Sequence, residues 1–160
     1  MKININDVLF EMVTILDKKK ERMKMIMTFT LKQGELFTAD SIEKLDNNLQ
    51  LKQDCIDDIE CLDEAFEGHY KVFKDHSNEI TEKCKSSDVT SALIKRLKEG
   101  TAEIQDFVKQ IRRIESDNYK KAAKLMEIIQ ANLQASGREK KAVTVYGSNI
   151  LHRASFDQRK

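Results

Sequence analysis

Histidine and cysteine are the side chains in this chain that could bind a metal or act as a nucleophile, so their spacing comes first. There are three of each, His69, His76, His152, Cys55, Cys61 and Cys84. None stands in the Glu-x-x-His, His-Glu-x-x-His or Cys-x-x-Cys spacing that di-iron and zinc sites use. No Gly-x-Ser-x-Gly or phosphate-binding glycine loop occurs either. The sequence therefore predicts no metal, no cofactor and no enzymatic activity.

Charge and the N-terminal sequence argue against two further classes. The net charge is +1 at pH 7, and the short basic clusters 18–22 and 120–124 lack the stacking aromatics of a nucleic-acid site. The N-terminal stretch "MKININDVLFEMV" contains Asp7 and Glu11 and no long apolar run. We therefore expect neither a signal peptide nor a membrane span. The odd number of cysteines fits reduced thiols in a cytoplasmic protein.

The composition is typical of long helices. Charged residues make up 34% of the chain, aromatic residues only 6%, and there is no proline to interrupt a helix. We predict an all-α fold of three long antiparallel helices, over about 6–31, 41–84 and 88–135, which form a helical bundle over 1–136. A flexible basic tail over 137–160 follows.

The second predicted helix has the most regular pattern, an unbroken alternation of three- and four-residue steps. Its members are Ile42, Leu45, Leu49, Lys52, Ile56, Ile59, Asp63, Phe66, Tyr70, Phe73, Ser77, Ile80 and Cys84. Such spacing places them along one seam of a helix. Lys52 and Asp63 are the charged members. They either set register and partner choice from inside the seam or stay wet where the first helix leaves them open.

Several local features follow from the same pattern. Asp40 and Glu43 predict a capping box, and Ser87 or Asp88 caps the third helix. In the third helix the apolar seam slips by one residue near Asn118. An antiparallel hairpin would place Gly100 opposite Phe73. Since the first helix is the shorter, residues 70–103 would project as a bare two-helix coiled coil.

Two surfaces are candidates for binding an apolar partner helix. The end of the third helix carries an apolar arc wider than a seam needs, namely Leu125, Met126, Ile128, Ile129 and Leu133. The alternating Met23, Met25 and Met27 offer flexible side chains that suit adaptable surfaces. Both alternatives stay open, and core packing is a third use of the methionines.

Residues 34–66, "GELFTADSIEKLDNNLQLKQDCIDDIECLDEAF", resemble a segment of the FlgN family of flagellar type III export chaperones. The matching run consists of Lys52-Gln53, Ile56-Asp57, Ile59, Leu62-Asp63 and Phe66. In addition, the tail sequence "VTVYG" over 143–147 resembles the Thr-x-Tyr-Gly that follows the last helix in that family. The resemblance implies a cytoplasmic chaperone that covers the C-terminal amphipathic helices of hook–filament junction proteins. It also implies docking on the export-gate protein FlhA through Tyr146 and the adjoining Gly147.

The basic tail has a role in this interpretation. Residues 40–90 hold fourteen acidic and six basic side chains, whereas residues 137–160 hold two acidic and six basic ones. The opposite charges suggest that the tail pairs with the middle of the chain or serves another protein. A second hypothesis is a structural coiled-coil adaptor that self-associates through the hairpin tip. We expect a monomer or weak dimer without nucleic acid or stable membrane insertion.

Overall fold

A computed structural model describes residues 2–136 of the chain. The described helices are α1 over Ile5–Gln33, a 3₁₀ helix over Ala39–Ser41, α2 over Ile42–Asp75, α3 over Ser77–Ser86 and α4 over Asp88–Ser136. No strand occurs among these residues. The all-α class is therefore confirmed, while the count of three helices is wrong, because four α-helices are present in the described part.

The additional helix arises from a break at His76. This residue leaves helical geometry, with φ −110° and ψ 23°. Its ring Nδ1 lies 2.9 Å from the carbonyl oxygen of Val72, which the His76 amide also reaches at 3.2 Å. A side chain that competes for its own helical acceptor bends a helix. The seam continues across the break to the buried Ile80, so the apolar pattern alone predicts one helix.

The predicted turn residues have mixed outcomes. Gly34 follows α1 directly, as expected. The Ser87 hydroxyl accepts a hydrogen bond from the Thr90 amide at 3.4 Å and so caps α4. The capping box is wrong, because Asp40 lies inside the 3₁₀ helix, two residues before the first turn of α2 that holds Glu43.

The described residues divide into two compact units, and unit 1 comprises 2–24 and Cys55–Phe107. Its buried apolar cluster draws on α1, α3 and α4, and consists of Ile5, Leu9, Met12, Val13, Leu16, Ile80, Leu93, Leu97 and Ile104. At the start of α1, Asn6 Oδ1 accepts a hydrogen bond from the Thr90 hydroxyl at 2.7 Å. The prediction of a bare coiled coil over 70–103 is therefore wrong, because α1 covers the α3–α4 hairpin.

The helices of unit 1 are also joined by charged side chains. Lys20 of α1 forms an ion pair with Glu103 of α4 at 2.9 Å. Asn6 and Thr90, which bond to each other, precede these two residues in their respective helices. The contacts therefore advance along both helices together, and α1 and α4 run parallel within the unit. The hydrogen bond to the Glu103 carboxylate raises the pKa of Lys20 above its ordinary value.

Asp63, one of the two charged seam residues, pairs with α1. Lys19 Nζ donates to its carboxylate at 2.6 Å, and Arg22 lies 3.2 Å from the carboxylate of Asp58. Since the α2 partner number falls as the α1 number rises, these two helices are antiparallel. The Asp63 side chain is 45% exposed. Of the two alternatives for the charged seam residues, solvent contact therefore describes Asp63 better than burial does.

Gly100 allows a close approach, but to a different helix from the one expected. A Cβ atom placed at Gly100 would lie 3.5 Å from Leu16 Cδ1, and no Phe73 atom would be among its neighbours within 4 Å. The predicted Gly100–Phe73 contact is wrong for this reason. The expected contact assumed a hairpin of two helices, α2 and α4, whereas Leu16 of α1 lies against the glycine.

Among the described residues, unit 2 comprises Met25–Asp54 and 108–136. Its buried apolar cluster is small, consisting of Leu36, Leu45, Leu49, Ala122 and Leu125, with Phe37 and Ile129 packed against it. Six buried polar residues belong to the same unit and are called the polar layer here, namely Thr30, Gln33, Asn48, Lys52, Glu115 and Asn118. Unit 2 therefore has about as many buried polar side chains as apolar ones.

The buried stripe of α4 shows where the predicted seam slip went wrong. From Ile111 the buried positions continue through Glu115, Asn118, Ala122 and Leu125 in alternating steps of four and three. The seam also reaches Ile111 from Phe107 by a step of four, so two steps of four meet at Ile111. The predicted slip is therefore present, but it lies at Ile111 and not near Asn118. Glu115 and Asn118, two consecutive members of the stripe, are polar, so an apolar pattern does not include them.

The glycines provide a test of these packing assignments. A Cβ atom at Gly68, inside α2, would meet nothing within 4 Å, whereas one at Gly34 would lie 2.8 Å from Asn118 Oδ1. Gly68→Ala should stabilise the protein by about 0.5–1 kcal/mol through helix propensity alone. Gly34→Ala should destabilise it by about 1–3 kcal/mol, because the buried Asn118 must move. Urea denaturation of both variants beside the wild type measures this, and equal shifts would contradict the close contact at Gly34.

Candidate functional site

The polar layer of unit 2 is centred on a buried ion pair. Lys52 of α2 and Glu115 of α4 have side-chain exposures of 2% and 0%, and Lys52 Nζ contacts Glu115 Oε1. Lys52 Nζ also donates to Gln33 Oε1, at the end of α1, at 3.4 Å. The layer thus joins three helices. The prediction that Lys52 acts from inside the seam is favoured over a wet position.

A second part of the layer fixes α4 against α1. Asn118 Nδ2 donates to the backbone carbonyl oxygen of Thr30 at 2.8 Å, and the Thr30 hydroxyl bonds to the carbonyl oxygen of Ile26 at 2.6 Å. The Asn118 amide thereby contacts backbone rather than a side chain. Such a contact favours one height of α4 beside α1, because a shift along the helix axis would break the bond to the Thr30 carbonyl oxygen.

The polar layer is not fully satisfied. Gln33 Nε2, Asn48 Oδ1 and Glu115 Oε2 are buried, and none of them has a hydrogen-bond partner within the described residues. Leaving such an atom without a partner costs about 1–3 kcal/mol. The layer therefore contributes specificity to unit 2 at the expense of stability.

The five residues of the predicted apolar arc on α4 differ in exposure. Leu125 is 2% exposed and belongs to the unit 2 cluster, so it is a core residue in this state. Ile129 is half-buried and packs against the same cluster. Met126 and Leu133 are also half-buried, while Ile128 is 48% exposed. The structure brings Leu125 and Ile129 together and leaves Ile128 open.

Leu36 and Phe37 cover part of this arc. They lie between α1 and the 3₁₀ helix, in a connection without helical geometry. Leu36 is buried in the unit 2 cluster with Leu125, and Phe37 packs against that cluster. Sequence reasoning missed this cover, although "GELF" contains the signal, since two consecutive large apolar residues just after the turn at Gly34 need a place to be buried.

The three methionines are divided between the two units. Met23 is half-buried and packs against the unit 1 cluster, whereas Met25 and Met27 belong to unit 2. Met25 is exposed and Met27 is half-buried. Neither unit contains all three methionines, and the alternative client site on a Met23–Met25–Met27 face stays a prediction.

Unit 1 has an apolar groove that the sequence pattern assigned to the core. Phe66, Tyr70 and Phe73 stack along α2, with ring centroids 6.4 Å and 5.9 Å apart, and Tyr70 is 43% exposed. With Leu97 and Ala102 of α4 they line a groove of about 340 Å³. Seam spacing identified these residues, but it could not show that the facing side chains are too small to bury them.

The residues considered for metal chemistry stay apart. Within residues 2–136, no three His, Cys, Asp or Glu side chains are grouped so as to hold a metal ion. Cys55 is buried, Cys84 half-buried and Cys61 exposed, and all three are free thiols. No helix of the described part is long and apolar enough to cross a membrane. The residues predicted to dock on the export gate, Tyr146 and Gly147, lie outside the described residues, as does His152.

The fold defines an all-α protein of long amphipathic helices with a polar layer in its core. In a comparison with protein families, residues 1–153 match the family described as FlgN protein. The match covers most of the chain, which therefore belongs to the FlgN family. Membership is consistent with a flagellar export chaperone. The chain matched no curated protein and no solved structure.

The buried ion pair can be tested by removing one charge and then both. Lys52→Met should destabilise the protein by about 3–5 kcal/mol, because Glu115 is left buried without its cation. Adding Glu115→Leu should recover most of that loss, since no uncompensated charge remains. Urea denaturation midpoints measure both effects. If the double variant were as unstable as Lys52→Met, loss of side-chain packing rather than charge would be the cause.

Proposed function

We propose that this protein is a cytoplasmic flagellar export chaperone for hook–filament junction proteins. It binds their C-terminal amphipathic helices, prevents premature assembly and delivers them to the export gate. Membership of the FlgN family over residues 1–153 is the observation that carries the proposal. The client identity and the gate contact extend beyond family membership and are the parts that need testing.

The proposed client site is the apolar arc at the end of α4. An amphipathic helix binds an apolar surface through side chains spaced one helical turn apart. Ile128 is exposed, and Met126, Ile129 and Leu133 are half-buried, so four of the five proposed residues keep accessible apolar surface. Leu125 lies beneath them in the cluster. Its part in binding requires that the cover formed by Leu36 and Phe37 give way.

The proposed gate contact is made by Tyr146 with Gly147 in the tail. This assignment rests on the resemblance of residues 143–147 to the family's Thr-x-Tyr-Gly. A short segment that becomes ordered on binding gives a weak, reversible contact, because the ordering entropy opposes association. Weak contact suits a delivery step.

The coiled-coil adaptor hypothesis loses the surface on which it depended. Self-association was expected through a bare hairpin tip, and α1 covers that tip in unit 1. The adaptor nevertheless remains a distinguishable outcome of the experiment that tests the chaperone proposal.

Three baits, compared in parallel, test whether the client and the gate bind at separate sites. They are the full chain, the chain cut after Gly137 and the Tyr146→Ala variant. From soluble extract of the source cell, read by mass spectrometry, each bait should recover hook–filament junction proteins. FlhA should be recovered with the full chain only. Equal loss of client from the two tail variants would contradict separate sites. Recovery of the protein itself without any flagellar client would favour the adaptor.

A substitution on the open part of the arc tests the client site without disturbing the core. Ile128→Asp should weaken binding of a client C-terminal helix by about tenfold or more, because a carboxylate would have to be desolvated in an apolar contact. Val89→Asp changes an even more exposed residue, at 61%, in unit 1 and serves as the matched control. Isothermal titration with a synthetic client peptide measures both. Unchanged affinity of a folded Ile128→Asp protein would place the client elsewhere.

A further inference from the structure

The connection between α1 and the 3₁₀ helix is attached to unit 2 mainly through two side chains. Its backbone hydrogen bonds are local: Glu35 N bonds to Lys32 O, Leu36 N to Gln33 O, and Ser41 N to Thr38 O. The 3₁₀ helix buries none of its residues and has no side-chain cap. Beyond Gly34, what holds this connection against α2 and α4 is therefore the burial of Leu36 and Phe37.

The surface under these two side chains has the character of a helix-binding site. It consists of Leu45 and Leu49 on α2 and Ala122, Leu125 and Ile129 on α4, and we call it the α2–α4 apolar surface. Leu45 and Leu49 are four residues apart, and Ala122, Leu125 and Ile129 follow steps of three and four, so each set forms a ridge along one side of its helix. Ridges at this spacing accept the side chains of a third helix.

The polar layer lies directly beside this surface and does not depend on the connection. Gln33 is the last residue of α1, and it binds Lys52 immediately before the chain turns at Gly34. Asn118 likewise holds α1 through Thr30, on the α1 side of that turn. The contacts that keep α1, α2 and α4 together therefore remain intact if Leu36 and Phe37 withdraw.

We infer that Leu36 and Phe37 are an internal substitute for the client, occupying in the free chaperone the apolar surface that a client helix takes over on binding. This inference rests on the proposed function and adds how its site is regulated. The two side chains leave through a swing of residues 35–41, which breaks local turn contacts and no long-range backbone bond. In the client-free state they keep Leu125 away from water, and an exposed apolar surface would otherwise promote aggregation.

Charges beside the surface indicate which helix fits. On α4, Lys121 and Lys124 share a face with the exposed Ile128, one step around the helix from Ala122 and Leu125. Lys121 Nζ donates to the carbonyl oxygen of Gly34 at 3.3 Å. A carboxylate is a stronger acceptor for a lysine than a backbone carbonyl and would replace it. The occupant is therefore an amphipathic helix with an apolar stripe and acidic residues along one edge.

Competition between an internal and an external ligand has a quantitative consequence. The apparent affinity for the client is reduced by the fraction of molecules in which the surface is free. Truncating Phe37 raises that fraction. The Phe37→Ala variant should therefore bind a client peptide at least about fivefold more tightly than the wild type does, although the free protein becomes less stable. A residue with a purely structural role would lower stability and leave affinity unchanged or reduced.

A matched variant distinguishes release of the surface from general loosening of the fold. Phe73 is half-buried against the unit 1 cluster, as Phe37 is against the unit 2 cluster. Phe73→Ala should lose stability too, but it should not gain affinity. If both variants gain affinity, general loosening is the cause and the inference is overturned.

The absence of tryptophan from the chain allows a direct readout in the intact fold. Phe37→Trp keeps a large apolar side chain and introduces a single tryptophan, whose emission can be excited apart from that of the tyrosines, with Phe73→Trp as the control. Titration uses a tryptophan-free peptide of a hook–filament junction protein's C-terminal helix. The emission of the Trp at position 37 should shift to the red and become more accessible to acrylamide, while that at position 73 should not change.

Three further outcomes of the titration each overturn the inference. Binding of the peptide with no red shift at position 37 does so and leaves the proposed function standing. No binding to any variant or to the wild type overturns the proposed function and the inference with it. A red shift that follows protein concentration without peptide would make a second copy the occupant in place of the client.

Discussion

The buried contact between Lys52 and Glu115 is the constraint around which unit 2 is organised. Removing two charges from water costs several kcal/mol for each ion, and mutual attraction offsets this cost only when the two groups meet. Here both side chains are almost fully buried. A shift of α2 or α4 by one turn would therefore leave an unpaired charge among apolar residues. The pair selects one register, and Gln33 extends the selection to α1.

Specificity and stability come from different residues in this unit. The polar layer includes three buried atoms without hydrogen-bond partners in the described part of the chain, so its net contribution to stability is small or unfavourable. The apolar cluster supplies the stabilisation, and two of its large side chains belong to a short connection rather than to a helix. Segments with few buried contacts open at low free energy. The helices of unit 2 consequently have one defined register, whereas the connection that carries Leu36 and Phe37 is held by few buried contacts.

The helical class and the inner face of α2 could be predicted from the sequence, because alternating steps of three and four sustained over 42–84 are typical of a helix and not of a strand or loop. The same pattern marked Lys52 as a residue inside the seam. Glu115 was missed because an apolar pattern cannot recognise a polar residue that is buried by pairing. The break at His76 was missed for a similar reason, since a single ring nitrogen changes the backbone without changing the spacing. The cover over Leu125 depends on a connection whose path no periodicity describes.

The run that carries the family resemblance, Lys52 to Phe66, lies mostly on the inner face of α2. Lys52, Ile56 and Ile59 are buried, and Phe66 packs against the unit 1 cluster. The buried residues of the run are therefore explained by packing, and they identify a fold more directly than a partner. Burial does not account for the exposed members of the run, Gln53 and Asp57, or for Ile128 on α4, which is 48% exposed. Ile128 takes no part in the buried contact between Lys52 and Glu115, so substitutions there leave that pair and its register unchanged.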